Sequence, residues 1–268
     1  MKSNSNHTSI NFKHLNTEDL DLDEIIKIID EKEYCVCHGL LESKTVLKIK
    51  PYWEDFFKQQ IRKKPSLKAV AGNFHLGEES FSSYSNDDNW NIYRFFDFYW
   101  NKAQTLEQKL TREIALDLHK IKNLLMDRDP LFGLIYSEDR EGTYLSVSHY
   151  PPDEGFLKFH KDNEEQFRLL QFMVNINYKN TDYSEGGLHF IIDGKKIDID
   201  SELLPGSVLF FNGSLQHGVE PVKSTNEVGR IAFFSIPASF LTKGNVPNFL
   251  RFLERVYFGL ERRLKNKK

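Results

Sequence analysis

Apolar residues recur at helical spacing in three segments of the first half of the chain. The clearest helix is predicted over Leu106–Met126, where leucine and isoleucine return every three or four residues. A shorter helix is predicted to begin within Thr17–Leu20, with acidic residues in its first turn, and to end near Glu33. Residues 42–64 predict another helical region, with Pro51 near a start. The first half is therefore expected to be largely helical.

After residue 130 the pattern changes to short apolar runs that Gly, Pro, Asn and Asp interrupt. Such runs predict strands of a sandwich or barrel. The predicted strands are Leu145–Tyr150, Leu169–Asn177, Leu188–Ile192, Lys196–Ile199, Val208–Phe211 and Arg230–Ile236, with an earlier short strand at Tyr34–Cys37. Residues 64–89 are predicted to be irregular. The aromatic stretch Trp90–Trp100 fits a strand or a helix equally well.

These elements predict one domain over residues 1–268, mostly β with flanking helices. A helical N-terminal region, 1–135, would pack on a β core at 140–240, and a C-terminal helix would follow at 247–264. The chain has 268 residues, of which 40% are apolar and 13% aromatic, enough to fill a sizeable core.

Composition narrows the classes of partner and compartment. The net charge is 36 − 39 = −3, so nothing indicates the basic surface of a nucleic-acid-binding protein. No apolar run approaches the roughly 18–20 residues of a membrane span, and the first residues lack the apolar segment of a secretory signal. Two cysteines, Cys35 and Cys37, cannot form a disulfide framework. We expect a cytoplasmic protein that binds neither nucleic acid nor membranes.

The candidate chemistry begins at His160 and Asp162. On a strand, residues two apart point to the same face, so an imidazole and a carboxylate could meet at one metal. Taken alone, the pair is more often a surface ion pair. His217 lies 217 − 162 = 55 residues further on, and two histidines with one carboxylate are the ligand set of non-haem Fe(II) oxygenases. Arg230 follows on a predicted strand and offers a planar guanidinium to a carboxylate.

The order of these motifs resembles the iron(II)- and 2-oxoglutarate-dependent oxygenases, near their prolyl-hydroxylase-like branch. The resemblance covers about residues 140–240. The motifs are Tyr-Pro-Pro from 150, Gly-Phe-Leu-x-x-His-x-Asp from 155, Glu-Gly-Gly from 185, Pro-Gly-Ser from 205, His-x-Val-x-Pro-Val from 217 and Gly-Arg from 229. The resemblance implies a double-stranded β-helix, the jelly roll that cupins also have.

The resemblance also implies roles for individual residues. His160, Asp162 and His217 would hold Fe(II), Arg230 would pair with the distal carboxylate of 2-oxoglutarate, and Tyr150 would hydrogen-bond the same carboxylate. Many relatives carry Ser or Thr two residues after the arginine, where this chain has Ala232. Part of the co-substrate pocket is therefore expected to be built differently.

Further candidates follow from the residues alone. Gln171 and Asn175 alternate along a predicted strand, and inward-facing amides would bind co-substrate or product, whereas outward-facing ones would look the same. Arg94 lies among Phe and Tyr and needs either a carboxylate partner or an opening to solvent. The candidate carboxylates are Asp97, if the stretch is helical, and a carboxylate of the substrate. His189, after the Gly-Gly turn, is a second candidate substrate contact.

The resemblance implies a dioxygenase that uses Fe(II), 2-oxoglutarate and O2 to hydroxylate an unactivated C–H bond, with succinate and CO2 as co-products. The predicted substrate is a small molecule, such as an amino acid or a biosynthetic intermediate. A hydroxylase of protein side chains and a non-catalytic cupin-like binding protein are the alternatives. Related halogenases carry Gly or Ala at the carboxylate position, so Asp162 favours hydroxylation.

Overall fold

A computed structural model describes residues 12–18, 20–63, 81–99, 104–134, 141–162, 170–224 and 227–239. The helices in these residues are α1 (Leu22–Lys32), α2 (Ser43–Lys63) and α3 (Leu106–Leu125). The strands are β1 (Tyr34–Cys37), β2 (Phe81–Asn86), β3 (Trp90–Phe98), β4 (Glu141–Tyr150), β5 (Phe156–His160), β6 (Leu170–Asn175), β7 (Glu185–Ile192), β8 (Lys195–Asp198), β9 (Val208–Asn212), β10 (Gln216–Lys223) and β11 (Arg230–Ser239). The predicted C-terminal helix at 247–264 lies outside the described residues.

The three predicted helices of the first half form, and local capping sets the ends of two of them. The side chain of Asp21 accepts a hydrogen bond from the backbone N–H of Glu24 at the start of α1. Thr105 and Gln108 form a capping box at the start of α3. Pro51 lies inside α2 rather than near its start. None of these three helices is long and apolar enough to cross a membrane.

The strands form one antiparallel sheet that curls into a half-barrel. The strand order is β1-β9-β6-β11-β4-β3-β5-β10-β7-β8, and β2 lies off this order and pairs with β3. Strands that are distant in sequence are therefore neighbours, as β9 and β6 are on one side and β5 and β10 on the other. This curling directs one face of the sheet inward.

The N-terminal region contributes more to the sheet than its pattern predicts. Residues 81–89 were expected to be irregular, but they contain β2 and the turn into β3. Trp90–Phe98 is a strand, and its side chains are buried on both faces, so it lacks the alternation that identifies a half-buried strand. The core sheet therefore extends beyond residues 140–240.

Two apolar clusters lie on opposite faces of the curled sheet. The larger one packs α1, α2 and α3 against the outer face and includes the fully buried Trp53, whose Nε1 donates to Thr111 Oγ1 at 2.9 Å. The smaller one fills the inside of the sheet. Neighbouring residues of β3 belong to different clusters, since Tyr93 faces the helices and Ile92 faces inward. The inner face is the one that presents the candidate site.

Candidate metal centre and co-substrate pocket

The structure brings together the three predicted metal ligands. His160 ends β5 and lies directly opposite His217 of β10, while Asp162 follows two residues after β5. One ligand atom of each residue lies within 4.8 Å of the other two. The Nε2 atoms of His160 and His217 are 3.6 and 3.9 Å from Asp162 Oδ1. The strand pairing thus converts a separation of more than 50 residues into one cluster.

Backbone carbonyls orient both imidazoles. His160 Nδ1 is 2.9 Å from the carbonyl oxygen of Lys158, and His217 Nδ1 is 2.8 Å from that of Leu215. These contacts place the proton on Nδ1 and leave the Nε2 lone pairs facing Asp162. Two neutral imidazoles and a carboxylate form the donor set that Fe(II) takes in a facial triad, so the residues present fit the metal.

The electrostatics of the cluster keep its carboxylate ionised. Burial alone would raise the pKa of Asp162, but the neighbouring His160 and His217 lower it overall. The pKa of His160 is raised, mainly by the Asp162 carboxylate 3.6 Å from its Nε2. The pKa of His217 is lowered, mainly by burial, although Asp162 opposes the shift. The cluster therefore offers negative charge to a cation at neutral pH.

Gln171, predicted as a co-substrate contact, instead reaches the metal ligand. Its Nε2 donates to Asp162 Oδ2 at 3.3 Å, while the Oδ1 of Asp162 faces the two histidines. This hydrogen bond orients the carboxylate and leaves one oxygen for a metal.

Arg230 lies at the start of β11 and is already paired. Its Nε and Nη2 donate to the two carboxylate oxygens of Asp200 at 2.6 and 3.1 Å, and both side chains are buried. Nη2 also donates to Asn175 Oδ1 at 3.0 Å. Among the described residues nothing accepts a hydrogen bond from Nη1, so one edge of the guanidinium keeps donors for a co-substrate carboxylate. The arrangement fits 2-oxoglutarate, but only through that remaining edge.

Asp200, the partner of Arg230, is a residue of the site that no sequence motif indicated. It accepts from Tyr183 Oη at 2.7 Å, from the Leu188 backbone N–H at 2.9 Å and from Asn175 Nδ2 at 3.0 Å. Burial would raise its pKa, but the charge and hydrogen bonds of Arg230 hold the pKa below its usual value. A buried arginine requires a hydrogen-bond acceptor, so the sequence could indicate that Arg230 has a partner. It could not indicate which residue, because Asp200 lies 30 residues away from Arg230 in the chain.

Gly187 explains part of the Glu-Gly-Gly motif. It has a φ of +95°, and a Cβ added there would lie 2.2 Å from Asp200 Oδ2. The absence of a side chain at this position lets the Asp200 carboxylate approach the β7 backbone and accept from Leu188 N–H.

Tyr150 of β4 lies directly opposite Arg230 of β11. Its side chain is buried, and the Arg230 guanidinium carbon is 5.5 Å from the centre of its ring. Asn175, the second predicted amide, points inward to Arg230 and Asp200. Both predicted residues therefore lie next to the guanidinium of Arg230.

The predicted partner of Arg94 is wrong. The stretch is a strand, so Arg94 and Asp97 point to opposite faces, and Asp97 accepts from Arg112 Nε at 2.8 Å on the helical side. Arg94 shares the inward face with Ile92, which packs beside Tyr150 in the inner cluster. Its guanidinium lies over Trp90, 5.4 Å from the ring centre.

His189 does not join the site. It lies on β7 between Leu188 and Phe190, which face the inner cluster, so its ring points to the other side of the sheet. There its Nδ1 contacts the Gly187 carbonyl oxygen at 2.9 Å and lies 3.7 Å from Glu220 Oε2. The structure therefore removes His189 as a candidate substrate contact.

Comparison with known proteins shows what the region around this site is similar to. Residues 145–235 match the 2OG-Fe(II) oxygenase superfamily, which confirms the predicted resemblance. This superfamily uses Fe(II), 2-oxoglutarate and O2, and the ligand set of His160, Asp162 and His217 is present. No curated protein sequence matches the chain.

Solved structures show the same fold. A prolyl-4-hydroxylase from Pseudomonas putida is 13% identical with a TM-score of 0.52, covering 80% of this chain and 97% of that one. A prolyl hydroxylase from Trichoplax adhaerens, in complex with a hypoxia inducible factor oxygen degradation domain peptide fragment, is 14% identical with a TM-score of 0.50, covering 81% and 89%. AviO1 from Streptomyces viridochromogenes is 11% identical with a TM-score of 0.50, covering 85% and 98%. The predicted jelly roll with flanking helices is confirmed.

Proposed function

We propose that this chain, which carries a 2OG-Fe(II) oxygenase core over residues 145–235, hydroxylates an unactivated C–H bond of a small molecule. The observation that carries the proposal is the convergence of two oriented imidazoles on one carboxylate at His160, His217 and Asp162. When bound, iron, 2-oxoglutarate and O2 supply the oxidising chemistry, with succinate and CO2 as co-products.

The side chains of this protein would hold the metal and fix its orientation. His160 and His217 hold the metal through Nε2, since Nδ1 of each ring is bonded to a backbone carbonyl. Asp162 contributes Oδ1, and Gln171 keeps that oxygen directed at the metal by bonding Oδ2. Three protein ligands on one face leave the opposite positions for exchangeable ligands.

Arg230 orients the co-substrate in this proposal. Asp200 holds one edge of the guanidinium, so the side chain is fixed before the co-substrate binds. The distal carboxylate of 2-oxoglutarate would bind the remaining donors, with Tyr150 beside it. Arg230 and Tyr150 are buried, so water is excluded and the charge-assisted hydrogen bonds between Arg230 and the carboxylate are strengthened.

The test is metal and co-substrate binding without oxygen. Purified protein is expected to bind about one Fe(II) per chain, and 2-oxoglutarate is expected to add a weak visible charge-transfer band. His160→Ala and His217→Ala are expected to lose the band, because each removes one of three ligands. His38→Ala is the matched control, since this exposed histidine contacts Ser207 instead. If both ligand variants bind iron and co-substrate like the parent, the proposal is wrong.

A further inference from the structure

Arg94 is a half-buried cation on the inner face of the sheet that the proposed chemistry does not use. It has no carboxylate partner among the described residues, and its buried Nε makes no hydrogen bond. Removing a charged group from water without a partner is costly. A bound anion would satisfy these donors.

The surroundings of Arg94 suit an anion beside the metal rather than a structural ion pair. Asp97, the nearest acid along β3, points to the helices and is held by Arg112. The residues directly opposite Arg94 on the neighbouring strands are Ser83 and Ser148, and both are buried. The Arg94 site is thus lined by groups that can donate hydrogen bonds and by no described carboxylate.

The side chain is directed towards the metal cluster. Its guanidinium lies over Trp90, and Trp90 pairs with Leu157 on β5, the strand that ends in His160. Arg94 therefore lies on the inner face of the sheet, beside the strand that carries His160.

We propose that Arg94 binds a carboxylate of the organic substrate, so that the substrate is a small organic acid such as an amino acid. This inference rests on the proposed function and names its substrate class. Arg94 pairs with Ser148, two residues along β4 from Tyr150, which pairs with Arg230 where 2-oxoglutarate would bind. Holding the substrate carboxylate at Arg94 places the rest of the molecule along the inner face, towards the metal.

The test compares acids with their amides. Parent protein, Arg94→Met and Arg94→Lys are loaded anaerobically with Fe(II) and 2-oxoglutarate and titrated with the standard L-amino acids and their C-terminal amides. The shift of the visible band gives affinity, and succinate formation in air gives turnover. Arg62→Met, which removes an exposed arginine at the end of α2, is the matched control.

In the parent and in Arg62→Met, at least one acid is expected to bind about 10- to 100-fold more tightly than its amide, as a charge-assisted pair would produce. In Arg94→Met this ratio is expected to fall close to one, and Arg94→Lys is expected to recover part of it. The affinity for 2-oxoglutarate is expected to stay within about threefold in all variants, because Arg94 does not hold the co-substrate.

Three outcomes would overturn the inference while leaving the proposed function in place. The parent would prefer no acid over its amide, or the preference would persist in Arg94→Met. Alternatively, Arg94→Met would lose 2-oxoglutarate affinity with an unchanged ratio, which would assign the arginine to the co-substrate. Absence of the visible band in the parent would instead count against the proposed function.

A metal-free readout separates these failures. Phenylglyoxal modification of Arg94, followed by mass spectrometry in protein without iron, is expected to slow when a preferred acid is added and not when its amide is added. Equal modification with every acid and amide would contradict an anion site at Arg94, whether or not the iron chemistry holds.

Discussion

Replacing Arg230 by methionine tests whether the buried ion pair is structural, binds the co-substrate, or does both. Arg230 and Asp200 are both buried and joined by two hydrogen bonds at 2.6 and 3.1 Å. Removing one partner of a buried pair typically costs about 3–5 kcal/mol, because the other charge is left unpaired. For a chain of this size that corresponds to a fall in Tm of roughly 6–20 °C.

The two single variants are expected to differ. In Arg230→Met, the Asp200 carboxylate keeps donors from Tyr183, Leu188 and Asn175 and can also take up a proton. In Asp200→Asn, the guanidinium stays charged and loses its partner, so this variant should be the less stable. The double variant removes both charges and is expected to cost at least about 2 kcal/mol less than the sum of the singles.

Co-substrate affinity supplies the second half of the test. If the remaining edge of Arg230 binds the distal carboxylate, folded and iron-loaded Arg230→Met should bind 2-oxoglutarate roughly 30- to several-thousand-fold more weakly. Arg230→Lys should recover only part, since a single ammonium cannot keep both hydrogen bonds to Asp200 and also bind the distal carboxylate. Iron binding should survive in both variants, because Arg230 is not a ligand.

The measurements are denaturant unfolding at neutral pH and titration of the folded, iron-loaded variants with 2-oxoglutarate. Additive stability changes, within about 0.5 kcal/mol, would refute the energetic coupling of the pair. Unchanged affinity for 2-oxoglutarate in Arg230→Met would refute the co-substrate role and leave Arg230 as a structural partner of Asp200.

Three further predictions concern stability. Gly187→Ala should lower the free energy of unfolding, measured with denaturant, by at least about 2 kcal/mol more than Gly194→Ala does. Both glycines have a positive φ, but only a Cβ at 187 would meet Asp200, so equal losses would contradict this reasoning. Burial lowers the pKa of His149 to about 4, so the free energy of unfolding should fall by up to roughly 3 kcal/mol as pH drops from about 6.5 to 4, and His149→Phe should lose that slope. Burial also lowers the pKa of Lys122 to about 7, so the free energy of unfolding should rise between pH 7 and about 10, by at most roughly 1.4 kcal/mol per pH unit. If the same rise persists in Lys122→Met, it does not come from Lys122.

The predicted elements show which signals are local. Helix α3 was recognisable because its apolar residues return every three or four positions along the chain. Strand β3 was ambiguous because both of its faces are buried, one by the helices and one by the inner cluster. β5 and β10 were not predicted as strands, although they carry the metal ligands, since their burial patterns do not alternate cleanly.

The sequence by itself determined the chemistry of the metal site. Residue type and the spacing of His160 and Asp162 place an imidazole and a carboxylate together, and the ordered motifs added His217 and Arg230. The spacing of two neighbouring residues and the order of motifs along the chain can both be recognised without knowing which strands pair.

Only the tertiary structure decided which charges are satisfied. Asp200 reaches Arg230 because β7 and its glycines let the chain after β8 approach the β11 arginine, and no spacing rule identifies that contact. Arg94 has no acid beside it because strand geometry turns Asp97 to the opposite face. Burial and cross-strand register are properties of the folded sheet, so the partner of each buried charge follows from the fold and not from its neighbours in sequence.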